Sequence, residues 1–263
     1  MALPEDAHIG SVSLTVRDLD RSIAFYRDGL GFRVLTETAV EAALSADGVR
    51  TLVELHERAD AVLRPRRCTG LFHFAILVPT RAALGRSLRH LTDEGWPLTG
   101  VADHLVSEAL YLSDPDGLGI EIYGDRPRET WTRVGGQVMM ATDPLDLESV
   151  ANEPGAERSW TGLDAATVIG HVHLHVASLV DAERLYCGVV GFEPTMRTYP
   201  GALFVAAGGY HHHLGVNTWM GEGAPAPPGH AVGLRWFSVY ARELPAAEVV
   251  DDATRTVVSL GPG

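Results

Sequence analysis

Histidine is the residue type in this sequence that offers the most chemistry, because the twelve histidines are concentrated in strand-like segments. His171, His173 and His175 alternate with apolar residues, so on a β-strand their side chains share one face. His73 lies in another apolar stretch, and positions 211–213 are three consecutive histidines. Neutral imidazole can bind a transition metal or transfer a proton near neutral pH. Taken alone, each histidine is better explained as a core or surface residue, so the whole chain has to be compared.

The composition indicates a globular protein, since 46% of the 263 residues are apolar and can fill one or two cores. The net charge of −13 and the lack of a basic run argue against nucleic acid or an anionic membrane as a partner. The longest apolar stretches, such as residues 71–78, are far shorter than the roughly 20 residues that a membrane helix needs. Cys68 and Cys187 fit neither a disulfide framework nor a zinc motif. We therefore expect a cytoplasmic protein with reduced thiols.

An internal repeat organises the chain. The segment IGSVSLTVRDLDRSIAFYRDGLGFRV at 9–34 reappears as IGHVHLHVASLVDAERLYCGVVGFEP at 169–194. Each copy predicts a one-sided strand, a polar turn and an amphipathic helix that carries Tyr26 or Tyr186. A third, less similar copy occupies residues 71–96. Strand-like stretches follow each helix, at 51–57, 106–125 and 203–219.

The repeat predicts an α+β fold built from tandem β-α-β-β-β modules, three of them complete and the fourth degenerate. The fourth begins at 233–241, lacks the helix and ends in a strand remnant at 251–260. We predict an N-terminal domain of modules one and two at 1–125, a linker at 126–167, and a C-terminal domain of modules three and four at 168–263. The linker has no clear period, so we expect it to cross the surface.

Tandem modules with these residues resemble the vicinal oxygen chelate superfamily, which includes glyoxalase I, bleomycin-resistance proteins and type I extradiol dioxygenases. The pattern V-x-D-L-x-R-S-x-x-F-Y at 16–26 carries the resemblance most clearly, and the resemblance extends over residues 8–240. The segment GYHHHLGVNTW at 209–219 is most similar to two-domain bacterial catechol-2,3-dioxygenase-like proteins. The resemblance implies two curved-sheet half-barrels. It indicates chemistry less strongly, because the superfamily also contains epimerases, transferases and binding proteins.

The resemblance also implies a ligand set, because superfamily members usually carry metal ligands on the first and last strands of a module. The residues at those positions are Ser11 and Glu54 in module one, His73 and Glu121 in module two, His171 and His212 in module three, and Trp236 in module four. His73, His171 and Glu121 are therefore the implied ligands of one divalent metal. Two histidines and a carboxylate suit iron(II) and leave positions for a bidentate substrate and O₂. Manganese(II) or another divalent metal is the alternative.

The segment from His104 to Glu121 matches a pattern found in extradiol dioxygenases. The matching positions are His104, Leu110, Tyr111, Asp114, Pro115, Gly117 and Glu121. Ala102 departs from it, because the family prefers Gly, Asn, Thr or a β-branched residue there. The match implies that Tyr111 donates a hydrogen bond to a substrate oxygen and that His104 holds the second hydroxyl or the leaving geometry.

The resemblance also places an acid/base histidine on the strand that closes module three, and we assign this role to His212. His211 and His213 remain alternatives, because neighbouring residues of a strand point to opposite faces. His173 and His175 share a face with His171 and could contact the ligands or fill the core.

The implied function is a metal-dependent extradiol ring-cleaving dioxygenase that degrades a catechol-type aromatic with O₂. A second possibility is another metal-dependent member of the superfamily, such as an isomerase, epimerase or hydrolase. That enzyme would keep the triad but have no use for Tyr111 and His104. A third is a metal-free protein that binds an aromatic ligand, which Ser11 and the shortened fourth module favour. A homodimer could cover the exposed edge of that module.

The implied triad requires a particular pairing of modules. In the best-known extradiol enzymes, module one pairs with two and three with four, which here would separate His171 from His73 and Glu121. We predict instead that module two pairs with three and module one with four, because the 126–167 linker is long enough to permit the exchange. The ring nitrogens of His73 and His171 should then lie about 3–4 Å apart.

Overall fold

Two large mixed sheets make up the fold of residues 2–262, the part of the chain that this computed structural model describes. The strands are, in chain order, β1 (His8–Val16), β2 (Arg33–Glu37), β3 (Glu41–Ser45), β4 (Val53–Glu57), β5 (Gly70–Leu77), β6 (Gly100–Asp103), β7 (Ser107–Ser113), β8 (Gly119–Asp125), β9 (Arg133–Val134), β10 (Gln137–Val138), β11 (Val168–His175), β12 (Glu193–Met196), β13 (Ala202–Ala206), β14 (Leu214–Asn217), β15 (Gly233–Ala241), β16 (Ala247–Asp251) and β17 (Thr256–Pro262). The helices are α1 (Leu19–Ala24), α2 (Arg81–Asp93), α3 (Leu147–Ala151) and α4 (Leu179–Glu183). Among these residues, no helix is long and apolar enough to cross a membrane.

The order of strands shows which modules pair. The first sheet runs β16-β17-β15-β1-β4-β3-β2 and joins modules one and four. The second sheet runs β12-β13-β14-β11-β5-β8-β7-β6 and joins modules three and two. The opening strands meet antiparallel in both sheets, β1 with β15 and β5 with β11. The predicted exchange of partners and the α+β modular fold are therefore confirmed, including a fourth module without a helix.

Each sheet takes one module from each side of the linker. The divisions 1–125, 126–167 and 168–263 thus describe the order of modules along the chain, and as a division into domains they stay a prediction. The expectation that the linker only crosses the surface is wrong. Trp131, Val138 and Met140 are buried, and they pack with residues of the second sheet such as Phe204.

Local signals explain where the main helices begin. Asp18, Thr80 and Ser178 are the N-cap residues of α1, α2 and α4, and each side chain accepts a hydrogen bond from the backbone N–H three residues later. Both α1 and α4 then widen into π-helical turns at Phe25–Gly29 and Arg184–Val190.

A continuous apolar core lies between the sheets. It includes Leu14 and Phe237 from the first sheet and Phe74 and Val172 from the second, all fully buried. Full burial of each such side chain contributes roughly 1.5–3 kcal/mol to folding. The alternation of apolar residues along these strands turns one face of each sheet to this core and leaves the other face for polar residues.

Two tyrosine–aspartate hydrogen bonds also join the sheets, and we call them the inter-sheet bonds. The Tyr26 hydroxyl, from module one, donates to Asp114 Oδ2 of module two at 3.3 Å. The Tyr186 hydroxyl, from module three, donates to Asp251 Oδ2 of module four at 2.6 Å. Both tyrosines lie in the π-helical turns and are fully buried. In one inter-sheet bond the tyrosine comes from a module of the first sheet, and in the other it comes from a module of the second sheet.

Asp114 is the aspartate whose replacement should test these bonds most directly. Its Oδ1 also accepts the backbone N–H groups of Asp116 and Leu118, so Asp114→Ala leaves three buried donors without their acceptor. We expect this variant to lose about 2 kcal/mol of unfolding free energy at neutral pH. Asp114→Asn keeps Oδ1 and should lose much less. Urea unfolding of the three proteins measures both effects.

The pH dependence of unfolding gives a second measurement on the same variants. Burial raises the pKa of Asp114 to about 6. The folded state therefore takes up a proton that an unfolded aspartate, with a pKa of about 3.9, does not bind until lower pH. The wild-type protein should gain stability relative to Asp114→Asn as the pH falls from about 6 to about 4. A constant difference across this range would contradict the assigned environment.

Candidate metal centre

Three neighbouring strands of the second sheet bring together the three implied ligands. β5 supplies His73, β11 supplies His171, and β8 supplies Glu121. Ala75 of β5 pairs with His171 of β11 on one side and with Glu121 of β8 on the other. The small side chain of Ala75 leaves the space between His171 and Glu121 open. In residues 2–262, these three side chains form the one group of at least three His, Cys, Asp or Glu whose ligand atoms all lie within 4.8 Å of one another.

The three ligand atoms form a nearly equilateral triangle. His73 Nε2 lies 3.3 Å from His171 Nε2 and 3.0 Å from Glu121 Oε2. His171 Nε2 lies 3.2 Å from the same carboxylate oxygen. Metal–ligand bonds of about 2.1 Å that meet at right angles separate neighbouring ligand atoms by about 3 Å. The predicted separation of the two histidines is confirmed, and the triangle has the size of one face of an octahedral site.

The protonation states of Glu121 and His171 also fit a divalent metal. Burial alone would raise the pKa of Glu121, but His171 and His73 offset this and hold that pKa well below its usual range. Burial lowers the pKa of His171 to about 4, against the attraction of Glu121. A carboxylate beside a neutral imidazole is the metal-binding form of both groups. Because an unpaired buried carboxylate costs several kcal/mol, a divalent cation between the three atoms would stabilise the cluster. Metal binding by this triad stays a prediction.

A cavity of about 720 Å³ opens in front of the triad. Its walls include aromatic side chains, among them Phe72, Tyr199, Phe204 and Trp219. Small-molecule sites are commonly apolar clefts of this size that contain a few polar groups. The volume and the lining fit a small organic molecule that reaches the triad.

Tyr111 and His104 form a hydrogen-bonded pair in the cavity wall. Tyr111 is directly opposite Glu121 in the β7–β8 pairing, and its hydroxyl lies 2.6 Å from His104 Nε2. His104 Nδ1 lies 2.6 Å from the Ala141 carbonyl oxygen, which can only accept, so Nδ1 carries a hydrogen. In neutral His104 the Tyr111 hydroxyl therefore donates to Nε2. Burial, and then the charge of Glu121, raises the pKa of Tyr111 well above its usual value.

This geometry corrects one sequence-based expectation. Both ring nitrogens of His104 are engaged, so His104 is not free to hold a second substrate hydroxyl directly. The role of Ala141 could not be predicted from the sequence, because this linker residue orients His104 through its backbone carbonyl.

Of the three consecutive histidines, His212 lines the cavity. Its ring lies 4.1 Å from that of His171, centroid to centroid. His211 Nε2 donates to Asp125 Oδ1 at 2.9 Å, and His211 Nδ1 lies 2.7 Å from His212 Nδ1. His213 accepts a hydrogen bond from the Ala207 backbone at 3.2 Å. Residues 211–213 precede β14 rather than lying on it, so the expectation of a strand position is wrong, although His212 does face the cavity.

His173 and His175 also line the cavity, and Asn217 fixes both rings. Asn217 Nδ2 donates to His173 Nε2 at 2.9 Å, while His175 Nδ1 donates to Asn217 Oδ1 at 2.7 Å. These contacts give each histidine a polar partner other than a metal. Asn217 was missed as a site residue, although it lies in the GYHHHLGVNTW segment that carries part of the resemblance.

Comparisons with known proteins, by sequence and by structure, support the fold. A profile of the Glyoxalase/Bleomycin resistance protein/Dioxygenase superfamily matches residues 8–122. A catechol-2,3-dioxygenase of Bacillus subtilis (strain 168) is 48% identical over 264 residues, covering 99% of this chain and 90% of that protein.

Two crystal structures resemble the whole chain at low identity, so they support the fold alone. A candidate dioxygenase from Bacillus subtilis subsp. subtilis str. 168 has a TM-score of 0.66 at 13% identity and covers 99% of this chain and 87% of that one. Glyoxalase I from Zea mays has a TM-score of 0.57 at 14% identity and covers 97% and 92% respectively.

Removing any one ligand should abolish metal binding. We expect His73→Ala, His171→Ala and Glu121→Ala to hold far less than one metal ion per chain after loading, because two remaining ligands form an incomplete coordination sphere. Elemental analysis after anaerobic loading with iron(II) measures this. Glu54→Ala is the matched control: Glu54 is opposite Ser13 in the first sheet as Glu121 is opposite Ala75 in the second. Full metal content in one of the triad variants would remove that residue from the site.

Proposed function

The chain belongs to the glyoxalase/bleomycin resistance protein/dioxygenase superfamily, and we propose that it is an extradiol ring-cleaving dioxygenase that opens a catechol-type aromatic with O₂. The observation that carries this proposal is the triad itself, whose three ligand atoms face an aromatic-lined cavity beside the Tyr111 hydroxyl. An isomerase or hydrolase would have less use for the His104–Tyr111 pair. The name of the 48% identical relative supports the same reaction.

We propose iron(II) as the metal, held by His73, His171 and Glu121. When bound, it would supply a redox-active centre with open positions for the substrate oxygens and for O₂. In the overall reaction both atoms of O₂ enter the product, and the ring C–C bond beside one hydroxyl-bearing carbon breaks. Such a reaction would contribute to the degradation of aromatic compounds.

The His104–Tyr111 pair can accept a proton from the substrate. While His104 is neutral, the Tyr111 proton is directed to His104 Nε2, so the tyrosine oxygen can accept a hydrogen bond from a catechol hydroxyl. Transfer of that proton to Tyr111, as the tyrosine proton moves to His104, would leave His104 doubly protonated and Tyr111 still neutral. Tyr111 would then donate to the substrate oxygen, which is the role that the resemblance implies.

His212 is suited to a second proton transfer to or from the substrate, because its ring lies close to that of His171. Burial lowers the pKa of His212 well below its usual value, and the neighbouring His171 and His211 lower it further. If His211 is neutral, its Nε2–H donates to Asp125 and its Nδ1 accepts from His212 Nδ1. His212 Nε2 is then unprotonated, on a side chain that lines the cavity. This arrangement supports an acid/base role for His212, with His211 as a positioning residue.

The proposal is tested by loading anaerobically purified protein with iron(II) and adding air-saturated buffer with catechol. We expect one O₂ consumed per catechol and an absorbance increase from the conjugated ring-opened product. Tight binding of catechol without O₂ uptake would instead favour an aromatic-ligand binding protein. Loading with manganese(II), zinc(II) and nickel(II) in parallel tests which metal supports turnover.

Replacement of His212 should separate catalysis from metal binding. We expect His212→Ala to keep its metal and its affinity for catechol under anaerobic conditions while losing roughly 10²- to 10⁴-fold in kcat, as for removal of a general acid/base. His56→Ala, on β4 of the first sheet, is the control and should keep wild-type activity. Loss of metal from His212→Ala would make His212 a ligand and overturn the acid/base assignment.

A further inference from the structure

Arg64 is a cationic group in the cavity that the proposed reaction does not use. It lies in the loop before β5 and borders both the main cavity and a smaller pocket of about 110 Å³. In the part of the chain that the structure describes, Arg64 and Glu121 are the Arg, Lys, Asp or Glu residues that line the main cavity. Because Glu121 belongs to the triad, Arg64 is the charged group left to interact with a ligand.

Arg64 lacks the carboxylate partner that most buried arginines have. Within residues 2–262, its one hydrogen bond runs from Nη1 to the Thr69 carbonyl oxygen at 3.4 Å. By comparison, Arg81 contacts both Glu108 and Glu153. Burial lowers the pKa of Arg64, but an arginine stays protonated at neutral pH. A half-buried guanidinium is thus left with most of its donors available.

The backbone places Arg64 well away from the triad. His175 lies four residues beyond His171 on β11, which corresponds to about 13 Å along a strand. Gly70 is opposite His175 in the β5–β11 pairing, and Arg64 packs on Gly70 so closely that an added Cβ would lie 3.3 Å from Arg64 Nη1. The guanidinium is therefore near the His175 end of the cavity.

Aromatic side chains connect the two ends. The Phe72 ring lies 4.8 Å from the ring of His73 and 4.8 Å from that of His175, centroid to centroid. Trp219 meets Phe72 edge to face at 5.5 Å. A catechol whose hydroxyls face the triad would extend along this aromatic strip, so that a substituent on the far side of its ring points towards Arg64.

We propose that Arg64 binds the carboxylate of an acidic substituent and so selects catechols that carry a short carboxylate side chain, an inference that rests on the proposed function. Guanidinium and carboxylate form two parallel charge-assisted hydrogen bonds, which a planar arginine fork is suited to make. With a net charge of −13, the protein as a whole repels an anion, so a local cation is needed to hold one. The metal centre would bind one end of the substrate and Arg64 the other.

A matched pair of substrates tests the charge preference. 3,4-Dihydroxyphenylacetate and 4-ethylcatechol have side chains of similar size, and only the first carries a carboxylate. We expect the iron-loaded wild-type protein to favour the acid in kcat/KM, and Arg64→Met to lower the acid-to-neutral ratio roughly 10- to 100-fold. Arg64→Lys should recover part of the ratio because it keeps the charge. Arg66→Met removes an exposed charge from the same loop and should leave the ratio unchanged.

Anaerobic binding of the same two compounds, measured by calorimetry, distinguishes this proposal from the proposed function. If both catechols are cleaved with the same ratio in wild-type protein and Arg64→Met, the Arg64 proposal is overturned and ring cleavage stands. If neither is cleaved, but the wild-type protein binds the acid more tightly and Arg64→Met loses that preference, ring cleavage fails and the Arg64 site stands. If Arg64→Met loses its metal, Arg64→Lys takes its place in the comparison. We expect the acid-to-neutral ratio of Arg64→Lys to be lower than that of the wild-type protein, and an unchanged ratio would overturn the Arg64 proposal.

Discussion

The antiparallel pairing of β5 with β11 is the contact on which the rest of the site depends. It joins two modules that are separated by the linker, and it brings His73 and His171 to within 3.3 Å of each other at Nε2. Because side chains alternate along a strand, a slip of one residue would turn every histidine of one strand to the opposite face. Two irregularities in this register, after Ile169 and after His173, set the stagger of the histidines. β8 then needs only to pair with the free side of β5 to supply Glu121.

The two sheets show how one repeat leads to two different polar faces. At the position that corresponds to Glu121, the first sheet keeps a carboxylate, Glu54, next to Ser13 rather than Ala75. Burial raises the pKa of Glu54, and the charge of Arg235 opposes the rise. Arg235 also donates to the Ser13 hydroxyl at 3.3 Å. A side-chain cation therefore accompanies the carboxylate in the first sheet, whereas imidazoles surround it in the second.

Sequence reasoning succeeded where side-chain type and strand period carry the information. The repeat predicted the modules, and the resemblance to the superfamily, applied to the first and last strands of those modules, implied the cluster of His73, His171 and Glu121. Three kinds of feature were not accessible in this way. The Ala141 carbonyl is a backbone group, so no residue type identifies it. The position of His212 before β14 depends on where the strand begins, and strand ends are set by pairing as much as by sequence.

Arg64 belongs to a third class, because an arginine in a loop usually faces solvent. Its place in the cavity follows from the packing of that loop on Gly70, next to the β5–β11 pairing. Asn217 is similar, since an amide gains a role only when the two histidines that it bridges are brought onto one strand face. Such residues depend on contacts between distant parts of the chain, and these contacts leave no local pattern.

The crossed pairing of modules has a consequence for how the protein is made on the ribosome. Modules one and two emerge first, but neither is the other's partner in a sheet, so β1 and β5 each present an open edge until β15 and β11 follow. Strand edges of this kind can pair with other chains, and domains normally fold as their sequence is completed. Here the cluster of His73, Glu121 and His171 is incomplete until β11 has been synthesised, so the proposed metal site would form only late in synthesis. The edge of β1 is covered only when β15 of the last module has been made, so the first strand of the chain waits for one of the last three strands.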